Sequence, residues 1–123
     1  MDSFIEIEMA RGDICPVTFT IRDEDAPIDF ELDDIYFTVK KLPNDRLPLF
    51  QKSLTGGTIQ ATGNPGEYEF FIQPEDTNSL SFDETYACDI EVVALALNIK
   101  KTYYGLLKLT PETTHASNER VGS

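Results

Sequence analysis

One histidine, two cysteines and twenty-two acidic side chains are the main chemical resources of this 123-residue chain. The histidine, His115, stands in the polar run PETTHASNERVGS. A serine or cysteine nucleophile relayed through imidazole would have to be built from that run. A polar stretch after the last strand reads as a chain end instead, so histidine-dependent catalysis is not expected. Cys15 and Cys88 are too few for a disulfide framework or a zinc site. The run DEDAPIDFELDD packs seven carboxylates between Asp23 and Asp34, and hard oxygen ligands suit calcium. Its spacing is not that of an EF-hand: Pro27 occupies the fifth position and no glycine follows it. The run reads either as a low-affinity calcium loop or as a solvated acidic connection. Glycoside hydrolysis needs two carboxyl groups set apart in a cleft, and nothing singles out one pair among so many. LTGGTIQ lacks the lysine and helix of a phosphate loop, so it reads as a hairpin turn. No catalytic residue, metal ligand or cofactor is expected.

Arg11-Gly12-Asp13 is an adhesion signal in some extracellular proteins, and equally a tight turn. Gly12 can take the positive φ that a sharp reversal requires, and Asp13 can cap the turn through its own backbone. An adhesion role would need export. The opening MDSFIEIEMA has no basic segment and no long apolar stretch, so no signal peptide is expected and synthesis in a cytoplasm is.

Charge narrows the partners. Ten Lys and Arg against twenty-two Asp and Glu give a net charge of −12. A field of that sign repels phosphate backbones and anionic bilayers, so neither nucleic acid nor membrane is an expected partner. No apolar run approaches the roughly 20 residues that span a bilayer.

Period-two alternation dominates the chain. It places Ile5, Ile7 and Met9 on one face, then Cys15, Val17, Phe19 and Ile21, then Ile35, Phe37 and Val39. It continues with Tyr68, Phe70 and Ile72, with Tyr86, Cys88, Ile90 and Val92, and with Tyr103, Leu107 and Leu109. LFQKSL and TIQAT are weaker strands between these. Turn signals separate the runs, and Pro16 marks its strand as an edge or a bulge. QPEDTNSLSF alone looks helical, for about one turn near 74–80. The pattern predicts an all-β, antiparallel two-layer sandwich of seven to eight strands over 1–111. Residues 112–123 read as a polar, flexible tail that orders on assembly.

Tyr86 lies two residues before Cys88, after a short turn. That spacing is the tyrosine corner of immunoglobulin-like sandwiches, in which the hydroxyl bonds to upstream backbone. Cys15 and Cys88 fall on the strands that carry the inter-sheet cysteine pair of such domains. No tryptophan accompanies them, and the favoured reading is two free core thiols.

Other residues point to contact. VVALALNIKK spans the last hairpin, whose tip would ordinarily be polar. Either Leu95 and Leu97 stand exposed at one end, or the strands extend and these residues are core. Tyr36, Phe50, Phe71 and Tyr104 are out of phase with the core pattern and are candidates for an aromatic binding surface.

In order, ARGDICPVTFTIRDEDAPIDF, DDIYFTVKK, GEYEFFIQPEDTNSL, TYACDIEVV and KKTYYGLLKLTPE cover nearly the whole chain. This succession resembles the immunoglobulin-like domain at the N-terminus of phage baseplate upper proteins, and related phage tail and fibre modules. The resemblance rests on the Arg-Gly-Asp turn, on Tyr86, Asp89 and Ile90, and on Gly105 in the last strand. It implies a non-enzymatic virion component of the tail or baseplate, made in the host cytoplasm and assembling with other virion proteins or with itself. Leu95, Leu97, Tyr36, Phe71 and Tyr104 are then the partner-contact candidates, and Gly12, Asp13, Tyr86 and Gly105 the structural ones. The alternative is a ligand-binding module such as a carbohydrate-binding sandwich.

Overall fold

A computed structural model describes residues 5–23, 26–28 and 30–111. Ten strands lie among them: β1 (Ile5–Ala10), β2 (Cys15–Thr20), β3 (Arg22–Asp23), β4 (Ala26–Pro27), β5 (Asp34–Lys40), β6 (Phe50–Ser53), β7 (Ile59–Ala61), β8 (Glu67–Ile72), β9 (Glu84–Ala94) and β10 (Ile99–Thr110). A helical turn, α1 (Pro74–Thr77), falls inside the stretch expected to be helical, and a 3₁₀ turn covers Leu95–Leu97. Eight strands build the two layers, ordered β1-β10-β9-β5-β6 and β2-β8-β7. The remaining two, β3 and β4, form a two-residue ladder within the acidic connection.

The fold is an all-β sandwich with immunoglobulin-like strand order. β2, β8 and β7 stand in the places of strands B, E and D, and β10, β9 and β5 in those of G, F and C, with β6 beside C. One expectation is corrected: the sandwich is not wholly antiparallel. β1 runs parallel to β10, with Ile5 opposite Gly105 and Ala10 opposite Thr110. Alternation specifies which face a side chain takes but not which strand lies beside it. β1 joins the edge of the five-stranded sheet instead of flanking β2, so β2 is an edge strand and tolerates Pro16.

The inward residues close one core. Ile35, Phe37, Val39, Ile59, Phe70, Ile72, Leu107 and Leu109 are all but fully buried. Burying a side chain of this kind stabilises the fold by about 1.5–3 kcal/mol. The rings of Phe37 and Phe70 meet across the two sheets at 4.4 Å between centroids. Phe19 continues the cluster beside Tyr68 and Phe70, each at 6.1 Å. Cys15 and Cys88 are free thiols.

The turn at Arg11-Gly12-Asp13 has a complete local account. Gly12 has φ of 86°, and the Asp13 amide donates to the Ala10 carbonyl at 3.2 Å. The Gly12 amide donates to the hydroxyl of buried Thr77 in α1 at 2.9 Å. Arg11 donates to the Leu80 carbonyl and lies over the Phe82 ring. The tyrosine corner is present: the Tyr86 hydroxyl accepts from the Ser81 amide at 3.0 Å and donates to the Ser81 carbonyl at 3.1 Å. No helix among the described residues is long and apolar enough to cross a membrane.

Gly105 is where β1 makes its closest approach. A methyl group there would collide with the carbonyl oxygen and Cβ of Ile5. Gly105→Ala is therefore expected to cost about 1–3 kcal/mol in urea denaturation and to speed amide exchange selectively along β1. Tyr86→Phe is expected to cost about 1 kcal/mol while leaving β1 exchange unchanged.

Candidate functional site

Strand register builds a site on the outer face of the five-stranded sheet. Residues that alternate with the core point away from it, and cross-strand pairing sorts them into rows. Thr102, Glu91, Tyr36 and Ser53 stand side by side on β10, β9, β5 and β6. The next row is Tyr104, Asp89, Thr38 and Gln51. The loop between β5 and β6 carries Pro43, Arg46 and Pro48 to the border of these rows. The result is a cleft of about 600 Å³, within the roughly 300–1,000 Å³ range of ligand pockets.

The cleft walls are partly fixed. The Asp34 carboxylate accepts from the Thr55 hydroxyl at 2.6 Å and from the Thr55 and Ile35 amides, and its neighbourhood pushes the Tyr36 phenol up. Burial pushes the Asp34 carboxyl up, but these donors together outweigh it and hold it below the usual carboxylate range. The Gln51 amide nitrogen donates to Thr38 Oγ1 at 2.9 Å. Asp89 is different. Half-buried, its carboxyl is pushed up by burial, pulled partly back by Lys40 and pushed up again by Glu91. Burial also raises the thiols, Cys15 with help from Asp13 and Cys88 to about 12. Both are therefore poor nucleophiles near neutral pH.

The contact candidates separate into three places. Tyr36 and Tyr104 share the cleft. Phe71 lies half-exposed on the outer face of the other sheet, beside a second hollow of about 350 Å³. Leu95 and Leu97 occupy the 3₁₀ turn at one end, 73% and 53% exposed. Asn98 closes that turn in the left-handed region at φ 58°, and the Leu95 amide donates to the Asp33 carboxylate. So the hairpin reverses through the apolar residues; the strands do not extend to bury them. Phe50 is corrected. It packs against Phe37 at 6.2 Å, because it and Lys52 take inward positions on β6.

Several features escaped the sequence. Lys52 is buried and pairs with Asp76 of α1 at 2.6 Å; Asp76 also accepts from the Gln73 amide at 2.7 Å. A buried ammonium demands an anion, but LFQKSL has apolar residues in both phases, so the sequence did not mark Lys52 as inward. Ile14, Leu42, Leu47, Leu49 and Phe82 are exposed in three connections at the end opposite the 3₁₀ turn. Of the acidic run, Glu24, Asp25 and Asp29 lie outside the described residues, as do His115 and the rest of 112–123. Among the described residues no group of three or more His, Cys, Asp or Glu side chains could hold a metal ion.

No family model and no curated protein matches the chain. Among solved structures, one described as Tim-1 aligns over 91% of this chain and 97% of its own, at 13% identity and a TM-score of 0.42. A likeness at that level settles neither function nor partner.

The two aspartates carry opposite signs in pH linkage. Asp34, with its carboxyl lowered on folding, stabilises the fold at neutral pH and ceases to do so as pH falls below roughly 4. Asp34→Asn is expected to lower neutral stability and flatten that acid limb in urea melts taken across pH. Asp89, with its carboxyl raised, costs stability when ionised. Asp89→Asn is expected to be neutral or stabilising at pH 7 by the same measurement.

Proposed function

We propose that this chain is a non-enzymatic structural domain of a phage or prophage particle, of the tail or baseplate kind. It docks on other virion proteins or on copies of itself, after synthesis in the host cytoplasm. The observation that carries the reading is the 3₁₀ turn of Leu95, Ala96 and Leu97, which holds two large apolar side chains in solvent where polar residues would serve the turn equally well. Exposed apolar side chains in such a setting favour a protein contact. The opposite end, with Leu47 at 81% exposure and Leu42 and Ile14 above half, offers a second contact. A domain with apolar groups at both ends suits serial assembly. The raised thiols argue against a cysteine nucleophile.

A second reading, a ligand-binding module, is favoured by the cleft over Tyr36 and Tyr104. The two are compatible, because the cleft lining does not include the 3₁₀ turn that carries Leu95 and Leu97.

Sedimentation over a concentration series, alone and with the proteins of purified tail particles, tests the first reading. Association is expected for the native sequence and is expected to be lost in Leu95→Asp/Leu97→Asp. Both positions are exposed, so the variant's melting temperature should stay within about 2 °C. A native chain that remains monomeric, and is missing from the protein inventory of the particles, ends the reading.

A further inference from the structure

We propose that the outer-face cleft binds a neutral oligosaccharide, with Tyr36 and Tyr104 as stacking surfaces and Asp89, Arg46 and Gln51 as hydrogen-bonding groups. The inference rests on the ligand-binding reading and is independent of the assembly reading.

Geometry supplies the first argument. Tyr104 and Tyr36 stand on β10 and β5, the two neighbours of β9, in adjacent rows. Strand spacing and rise put their Cα atoms on the order of 12 Å apart. A short oligosaccharide covers that span. Tyr36 is half-buried between Glu91 of β9 and Ser53 of β6, which limits its ring before a ligand arrives. A tyrosine ring offers an apolar face to the C–H groups of a pyranose and a polar tip to its hydroxyls.

Unused hydrogen-bonding capacity supplies the second. Among the described residues, half-buried Asp89 accepts no hydrogen bond and Arg46 donates none. Gln51 commits its amide nitrogen to Thr38 and leaves its carbonyl oxygen uncommitted. An apolar knob from a partner would seal such groups from water without replacing their hydrogen bonds, and that is costly. A polyol gives and accepts at each hydroxyl and matches both kinds of group.

Charge supplies the third. The whole chain is at −12, yet the cleft sets Asp89 and Glu91 against Lys40 and Arg46 and is locally balanced. A cationic peptide would meet two cations there, and an anionic ligand two carboxylates. A neutral ligand meets neither penalty.

Amide chemical-shift mapping on the full 123-residue chain tests the assignment. The probes are maltotriose, cellotriose, mannotriose and chitotriose, each titrated to about 10 mM, which detects even millimolar affinity. At least one is expected to give saturable shifts centred on Thr38, Gln51, Asp89 and Tyr104. Tyr104→Ala and Asp89→Asn are each expected to weaken that binding by about tenfold or more. Leu95→Asp/Leu97→Asp should bind like the native chain, which separates this site from the assembly surface. The proposal is overturned if no trisaccharide shifts these residues, if shifts centre elsewhere, or if Tyr104→Ala binds unchanged. Saturable binding of tetralysine to the same residues, with no sugar response, would overturn it in favour of a basic protein segment.

Discussion

The contact between Phe37 of β5 and Phe70 of β8 is the interaction on which the other layers of organisation depend. These rings come from different sheets and meet at 4.4 Å. Around them Phe19, Phe50 and Tyr68 fill the space between the layers. The chain has no tryptophan, and its two cysteines are unbonded. Aromatic packing therefore does what a tryptophan against a disulfide does in antibody domains. It also fixes phase. Once Phe37 faces inward, Tyr36 and Thr38 must face outward, and a slip of one residue would bury the tyrosine and expose the phenylalanine.

The outer face follows from that phase. Thr38 cannot reach Gln51, nor Tyr36 stand between Glu91 and Ser53, unless β5 is held between β9 and β6 in its observed register. The loop from β5 to β6 then borders a surface that would otherwise be flat. On the core side, the same register brings Lys52 inward, where Asp76 of α1 meets its ammonium. Core, cleft and buried ion pair are three outcomes of one pairing scheme. The apolar groups at the ends belong to the turns and are constrained less by it.

Much of this was legible in the residues. Every strong alternating run became a strand on the expected face, because a half-buried strand writes its burial into the chain at period two. Tyr86 announced its corner by spacing alone. Tyr36 and Tyr104 announced themselves by being aromatic at outward positions. Their convergence in one cleft was not legible, since it requires knowing that β9 lies between their strands. Nor was the parallel pairing of β1, because alternation says nothing about neighbours. Phe50 misled for a related reason: LFQKSL has apolar residues in both phases, and only pairing with Val39 settles which one faces in. Lys52 was hidden because its partner comes from α1, a segment whose docking position no local pattern encodes.

The neighbourhood of β1 and β10 bears on how the protein is made. Ile5 and its strand partner Gly105 lie a hundred positions apart, so the partner is translated long after Ile5. Until then β1 has no ladder to join, and its isoleucines and Met9 have no lid. The nascent polypeptide must carry β1 unpaired and partly greasy until β10 has been made. Closing so long a loop makes the final docking slow relative to hairpin formation. Chaperone dependence and strand exchange between growing copies are the hazards this connectivity creates.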